Sequence, residues 1–132
     1  MARILIVDDE VNILIVLQTV LGFSGHEIVT ALGGEKAVEL LATSNFDLLI
    51  SDVRMYPMDG LELLKLARVR HPDLPAILIT AFDLPAMKRM TESLGPFGYL
   101  RKPFSNTDLI SAVDKAVSST KGTGTTDPRC SV

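Results

Sequence analysis

Five short apolar runs, each followed by a turn and then by apolar residues at helical spacing, set the pattern of this chain. Arg3 to Val7 (RILIV), Leu48 to Ile50 and Ala76 to Thr80 (AILIT) are continuous apolar segments, the signature of strands buried on both faces. His26 to Ala31 is weaker, with Glu27 and Thr30 polar, as suits an edge strand, and Phe97 to Leu100 is a short fifth strand. Between them the spacing predicts helices from the acids Asp8, Asp9 and Glu10 to about Phe23, over Glu35 to Thr43, after Gly60, after Asp83, and after Ser105.

Individual positions sharpen these expectations. In the third helix Leu63, Leu64 and Ala67 are expected to face inward, with Glu62, Lys65 and Arg68 in water. In the fourth, Met87, Met90 and Leu94 repeat at core spacing, and Gly95-Pro96 stops the helix. Ser105 and Asp108 have the spacing of a capping box for the fifth helix, whose apolar positions are Leu109, Ile110, Val113, Ala116 and Val117. The first helix is unusual, with Val11, Ile13, Leu14, Ile15, Val16, Leu17, Val20 and Leu21 apolar. One face cannot bury them all.

Alternation of strand and helix implies an α/β fold, a parallel sheet with helices on both faces joined by right-handed crossovers. Of the two common doubly wound orders, five strands favour 2-1-3-4-5, with the switch point between strands one and three. From Ser118 onward the pattern dissolves into SSTKGTGTTDPRCSV, so the chain is expected to divide into one domain over residues 1–118 and a flexible tail or truncated linker over 119–132.

Bulk properties narrow the function. A length of 132 residues, 47% of them apolar, suits one domain with a proper core. The net charge of −3 comes without a clustered Lys/Arg run, so direct nucleic-acid binding by this chain is not expected. The apolar stretch from Ile4 to Leu21 is interrupted by Asp8, Asp9 and Glu10 and falls short of the roughly 20 residues a membrane span requires. A single cysteine, Cys130, fits a reducing compartment, and cytoplasmic localisation is the expectation.

The chemistry gathers at the carboxyl ends of the strands, where open α/β sheets bind ligands. Asp8 and Asp9 follow strand one, Asp52 follows strand three, Thr80 strand four and Lys102 strand five. Clustered carboxylates repel one another, and a hard cation such as Mg²⁺ is the usual reason to keep them together. Thr80 offers a hydroxyl donor and Lys102 a mobile positive charge, both suited to phosphoryl oxygens. Singly, Asp9 reads as well as a helix cap, Lys102 as a solvated lysine and Thr80 as a structural residue. Their arrival together at matching strand ends is what points to a site.

VDDE at 7–10, the Asp52 segment with its MDG, LITA at 78–81 and YLRKPF at 99–104 resemble the receiver domain of bacterial two-component response regulators, from Ala2 to about Ser118. The resemblance implies a flavodoxin-like (βα)5 fold, of whose strand order the chemotaxis receiver is itself a standard example. It implies a signalling domain, not an enzyme, in which Asp52 accepts a phosphoryl group from a histidine kinase or phosphotransfer protein. Asp9, Asp52 and the backbone carbonyl of Arg54 would ligate Mg²⁺, or Mn²⁺ in its place, with Asp8 acting through water. Thr80 and Lys102 would bind phosphoryl oxygens, and Lys102-Pro103 would be a cis peptide. Tyr99 would turn inward behind Thr80, beside the small Ala81, changing the surface of helix four, strand five and helix five. Homodimerisation through that surface is a further expectation.

In the same family the positions two beyond the acceptor and two beyond the hydroxyl, here Arg54 and Phe82, modulate dephosphorylation. Phe82 cannot orient an attacking water by hydrogen bonding, so a long-lived phosphoaspartate is expected; release as fast as in a Phe82→Glu variant would contradict this. Two segments depart from the family pattern: Met55-Tyr56-Pro57-Met58 has its proline one place late, and Gly95-Pro96-Phe97-Gly98 precedes Tyr99 where Gly-Ala-x-Asp is common, so helix four is expected to end abruptly. A flavodoxin-like cofactor binder would need a Ser/Thr/Gly-rich phosphate loop where this chain has three acids. A phosphatase of the haloacid dehalogenase type would carry its two acids two residues apart after strand one. A receiver-like interaction module independent of phosphorylation is the alternative that keeps every residue above. The surplus apolar surface of helix one suggests a docking site for the phosphoryl donor, with Ile13 and Val16 as its markers.

Overall fold

A computed structural model describes residues 2–81 and 83–125. Among them five parallel strands alternate with five helices: β1 (Arg3–Asp8), α1 (Val11–Gly22), β2 (Glu27–Leu32), α2 (Gly34–Thr43), β3 (Leu48–Asp52), α3 (Gly60–Arg70), β4 (Ala76–Thr80), α4 (Leu84–Thr91), β5 (Gly98–Arg101) and α5 (Asn106–Thr125). The sheet order is β2-β1-β3-β4-β5, the doubly wound order expected.

The continuous apolar runs are explained by where successive side chains go. Leu5, Val7, Leu49 and Leu78 enter one core cluster with Ala37 and Leu41 of α2, Leu63, Leu64 and Ala67 of α3, and Met87 of α4. Ile4, Ile6, Leu48, Ile50, Ile77 and Ile79 point the other way, onto Leu14, Leu17 and Leu21 of α1 and Leu109, Val113 and Ala116 of α5. Each fully buried Leu or Ile contributes roughly 1.5–3 kcal/mol by leaving water, so neither face of β1, β3 or β4 tolerates a polar residue. Polarity returns only at the strand ends, with Asp8, Ser51, Asp52 and Thr80.

Local chemistry fixes most helix starts. Asp59 accepts from Glu62 N at 2.9 Å while Glu62 Oε1 accepts from Asp59 N at 3.0 Å, a reciprocal cap on α3. Asp83 accepts from Ala86 N at 3.2 Å, and Ser105 and Asp108 form the second reciprocal pair. The acids before α1 behave otherwise: the cap residue Glu10 makes no side-chain cap bond and the first turn holds no acid.

Three expectations are corrected. Met90 is 62% exposed, because α4 has only eight residues and buries the Met87 and Thr91 stripe instead. After Thr91 the chain tightens into a 3-10 turn, Glu92–Leu94, ended by Gly95 in the left-handed region at φ 59°. Arg68 does not face water. Its guanidinium donates to the carbonyls of Leu94 (2.9 Å), His71 (3.3 Å), Leu74 (2.6 Å) and Gly95 (3.1 Å), tying the end of α3 to both loops that follow. The helix α5 is described to Thr125, and residues 126–132, including Cys130, lie outside the described residues.

Candidate functional site

The parallel register carries the polar strand ends to one edge. Asp52 lies opposite Ile79, and Thr80 opposite Arg101. Two further bonds extend the ladders beyond the strands, Val53 N to Ile79 O at 2.9 Å and Lys102 N to Thr80 O at 2.8 Å. They bring the backbone of Asp52, Thr80 and Lys102 side by side. Lys102 Nζ then reaches Asp52 Oδ2 at 3.2 Å, from a side chain 40% exposed to a carboxylate side chain only 6% exposed. The Lys102–Pro103 peptide is cis, as is Tyr56–Pro57.

Asp8 and Asp9 are adjacent in sequence and opposite in setting. Asp8 is 2% exposed, and its Oδ1 accepts from Glu10 N at 2.9 Å. Asp9 is exposed, and its Oδ2 accepts from Tyr56 N at 3.2 Å, joining the β1–α1 turn to the loop after β3. Burial pushes the Asp8 carboxyl up from 3.8 to about 6; the Glu10 N–H opposes the rise, the Asp52 charge adds to it, Lys102 opposes it and Asp9 adds to it.

The loop after β3 is built on two close approaches. Gly60 lies so near the acid-bearing strand that a Cβ there would meet the carbonyl oxygen of Asp52 and stand 2.9 Å from Val53 Cα. Gly60 N also donates to Val53 O at 2.9 Å, so the start of α3 is bonded to the residue after Asp52. Met58 covers the start of α2, where a Cβ on Gly34 would stand 2.8 Å from its Sδ. The Gly33-Gly34 pair was legible as a turn, but this contact needed the loop's position in space.

Thr80 is fully buried at the site edge. Tyr99 is half-buried, packs against the cluster beneath α2, α3 and α4, and has its hydroxyl 2.6 Å from Thr91 Oγ1. Thr91, fully buried on α4, escaped the sequence reading because a lone threonine in a helix carries no signal. Arg54 is exposed, with its N–H 3.4 Å from Asp52 Oδ1. Phe82 lies outside the described residues.

A hard cation is judged against these donors. Among the described residues no three His, Cys, Asp or Glu side chains are grouped to hold a metal. A site of two carboxylates, Asp9 and Asp52, with one main-chain carbonyl does not need such a group, since Mg²⁺ keeps several waters. The donors are all oxygen, the ligand chemistry a hard cation takes, so the residues fit the ion.

The comparisons with known proteins bear on the same stretch. A family model described as the response regulator receiver domain matches residues 4–114. This chain belongs to that family. Among curated relatives, the DNA-binding transcriptional regulator NtrC of Klebsiella pneumoniae is 42% identical over 114 residues, which cover 86% of this chain and 24% of that protein. The alkaline phosphatase synthesis transcriptional regulatory protein PhoP of Bacillus subtilis is 36% identical over 111 residues, 84% of this chain and 46% of that one. The chain thus spans a quarter to a half of the length of these relatives. Among solved structures, the chemotaxis protein CheY4 of Vibrio cholerae superimposes with a TM-score of 0.83 at 31% identity, covering 88% of this chain and 98% of that one. The receiver domain is a signalling domain of two-component systems, and the family implies a phosphoacceptor role. Among the described residues no helix is long and apolar enough to cross a membrane.

Proposed function

We propose that Asp52 is the phosphoacceptor of a two-component system, receiving its phosphoryl group from a histidine kinase or phosphotransfer protein. The observation that carries this reading is the Asp52 carboxylate, nearly buried at the end of β3, with Lys102 Nζ at 3.2 Å and the Asp8 carboxyl near enough to feel its charge. In the transfer a carboxylate oxygen of Asp52 attacks phosphorus and the P–N bond to the donor histidine breaks. Asp52 is a weak nucleophile while paired to Lys102. Movement of the lysine from Oδ2 to an incoming phosphoryl oxygen frees the carboxylate and neutralises the group being transferred.

Asp9, Asp52 and the carbonyl of Arg54 are the residues proposed to hold Mg²⁺, or Mn²⁺, with Asp8 acting through water. Bound there, the ion would offset repulsion between the carboxylates and the phosphoryl oxygens. Thr80 is proposed to donate its hydroxyl to a phosphoryl oxygen, and Arg54 and Phe82 to set the lifetime of the phosphoaspartate. The output is a population shift of the α4, β5 and α5 surface, read by a partner or a second copy. Residues 1–118 are taken as the receiver unit, in the cytoplasm.

Intact mass after incubation with acetyl phosphate or phosphoramidate tests this. A Mg²⁺-dependent gain of one phosphoryl group, abolished in Asp52→Asn, is expected. No gain in the folded wild type would favour an interaction module that works without phosphorylation.

A further inference from the structure

Thr91 makes two hydrogen bonds with one hydroxyl. Its Oγ1 stands 2.8 Å from the carbonyl oxygen of Met87, one turn back on α4, and 2.6 Å from Tyr99 Oη on β5. A threonine hydroxyl carries one proton. The Met87 carbonyl can only accept, so that proton goes to Met87 and the shared proton of the second bond comes from Tyr99. The result is a directed chain, Tyr99 O–H to Thr91 Oγ1 to Met87 O. Thr91 is 0% exposed and Met87 1% exposed, so the threonine hydroxyl and the Met87 carbonyl are both shielded from water.

The link stands where α4 is least held by anything else. α4 is the shortest of the five helices, its α-helical run stops at Thr91, and the 3-10 turn begins at the next residue. At the end of that turn Arg68 fixes the carbonyls of Leu94 and Gly95. Between that anchor and the Asp83 cap, the polar side-chain tie of α4 to the sheet among the described residues is the Tyr99–Thr91 bond, alongside the apolar packing of Met87.

We propose that Thr91 is the positioning residue through which the placement of Tyr99 reaches α4. A rotation that carries the Tyr99 ring away leaves a buried threonine oxygen without its donor, and α4 must adjust to restore it. This deepens the switch-surface reading above and rests on it. Thr91→Val keeps the shape and removes the hydroxyl, Tyr99→Phe removes only the other partner, and Thr91→Ser retains the bond.

The test is amide hydrogen exchange, followed by NMR across α4 and the turn after it, in the full chain without phosphodonor. Thr91→Val and Tyr99→Phe should each speed exchange there by roughly three- to tenfold, the size of one hydrogen bond. The double variant should be no faster than either single one, and Thr91→Ser should stay near wild type. Multiplying effects in the double variant, or a serine that behaves like valine, would overturn the relay, because a threonine serving only its own helix has no coupling to Tyr99. The same amides are then followed after acetyl phosphate treatment of the wild type, with Asp52 modification verified by mass. A closed cycle without a phosphorylation response at α4 overturns the switch-surface reading and leaves the relay standing; a response without a closed cycle overturns the relay alone.

Discussion

Lys102 and Asp52, fifty positions apart, meet at 3.2 Å because two parallel ladders deliver the ends of β3 and β5 to the same edge of the sheet. Since the ammonium already sits on the Asp52 carboxylate, the proposed transfer would find its charge in place. Lys102→Ala should therefore slow modification of Asp52 by acetyl phosphate by on the order of 10², the usual cost of removing one electrostatic partner from a reacting centre. Time-resolved intact mass measures it, and a rate within twofold of wild type would separate Lys102 from the chemistry.

Asp8 should make the metal-free protein sensitive to pH. Its folded carboxyl titrates near 6 against 3.8 in an ordinary setting, so between those values the folded state holds a proton that the unfolded state has lost. Stability from this group is therefore present below about 3.8 and is lost as pH rises to about 6. Asp8→Asn, which preserves an oxygen acceptor for Glu10 N, should flatten that dependence and stabilise the chelator-treated protein at pH 7 by up to roughly 3 kcal/mol. Urea unfolding in EDTA at pH 5 and pH 7 gives the comparison; equal losses for both proteins between those pH values would refute it.

Gly60 is expected to be intolerant of even one methyl group. A Cβ would stand 2.9 Å from Val53 Cα and 3.0 Å from the carbonyl carbon of Asp52, so backbone rather than a flexible side chain must yield. Gly60→Ala should cost about 1–3 kcal/mol in urea unfolding and should reduce Asp52 phosphorylation beyond what the unfolded fraction explains.

Arg68 should behave as a core residue. Its donors reach four backbone carbonyls at the end of α3 and in the turns around Leu74 and Gly95. Lysine keeps the charge but not the fork. Arg68→Lys is expected to destabilise the fold by about 1–3 kcal/mol, with thermal or urea unfolding as the measure and an unchanged midpoint as the contrary result.

The exposed apolar side of α1 offers a test of donor docking. Val11, Ile15 and Val16 are each more than half exposed, whereas Ile13 packs partly against the core, so Val16 and Ile15 are the better probes. Val16→Glu should slow phosphotransfer from a histidine donor at least tenfold, about 1.4 kcal/mol of lost docking, and leave acetyl phosphate modification unchanged. Equal effects on both donors would place the fault in folding.

The fold was legible because parallel strands buried on both faces have no choice but to be continuously apolar, and β1, β3 and β4 announce themselves that way. The neighbourhood of Asp8, Asp52, Thr80 and Lys102 was legible because each lies at the carboxyl end of a strand, and strand order brings those ends to one edge. What the sequence could not express is any relation between side chains on elements far apart in the chain. Arg68 looks like a solvent-facing helix residue until the 3-10 turn swings the carbonyls of Leu94 and Gly95 over it. Met90 looks like core until α4 proves too short to bury a second stripe. Thr91 has no local signal at all, since its role depends on the Tyr99 hydroxyl arriving from another strand. Periodicity reports which face of an element avoids water, a property of the element itself; which polar atom meets which is settled only when the packed elements leave a buried donor and acceptor within reach of each other.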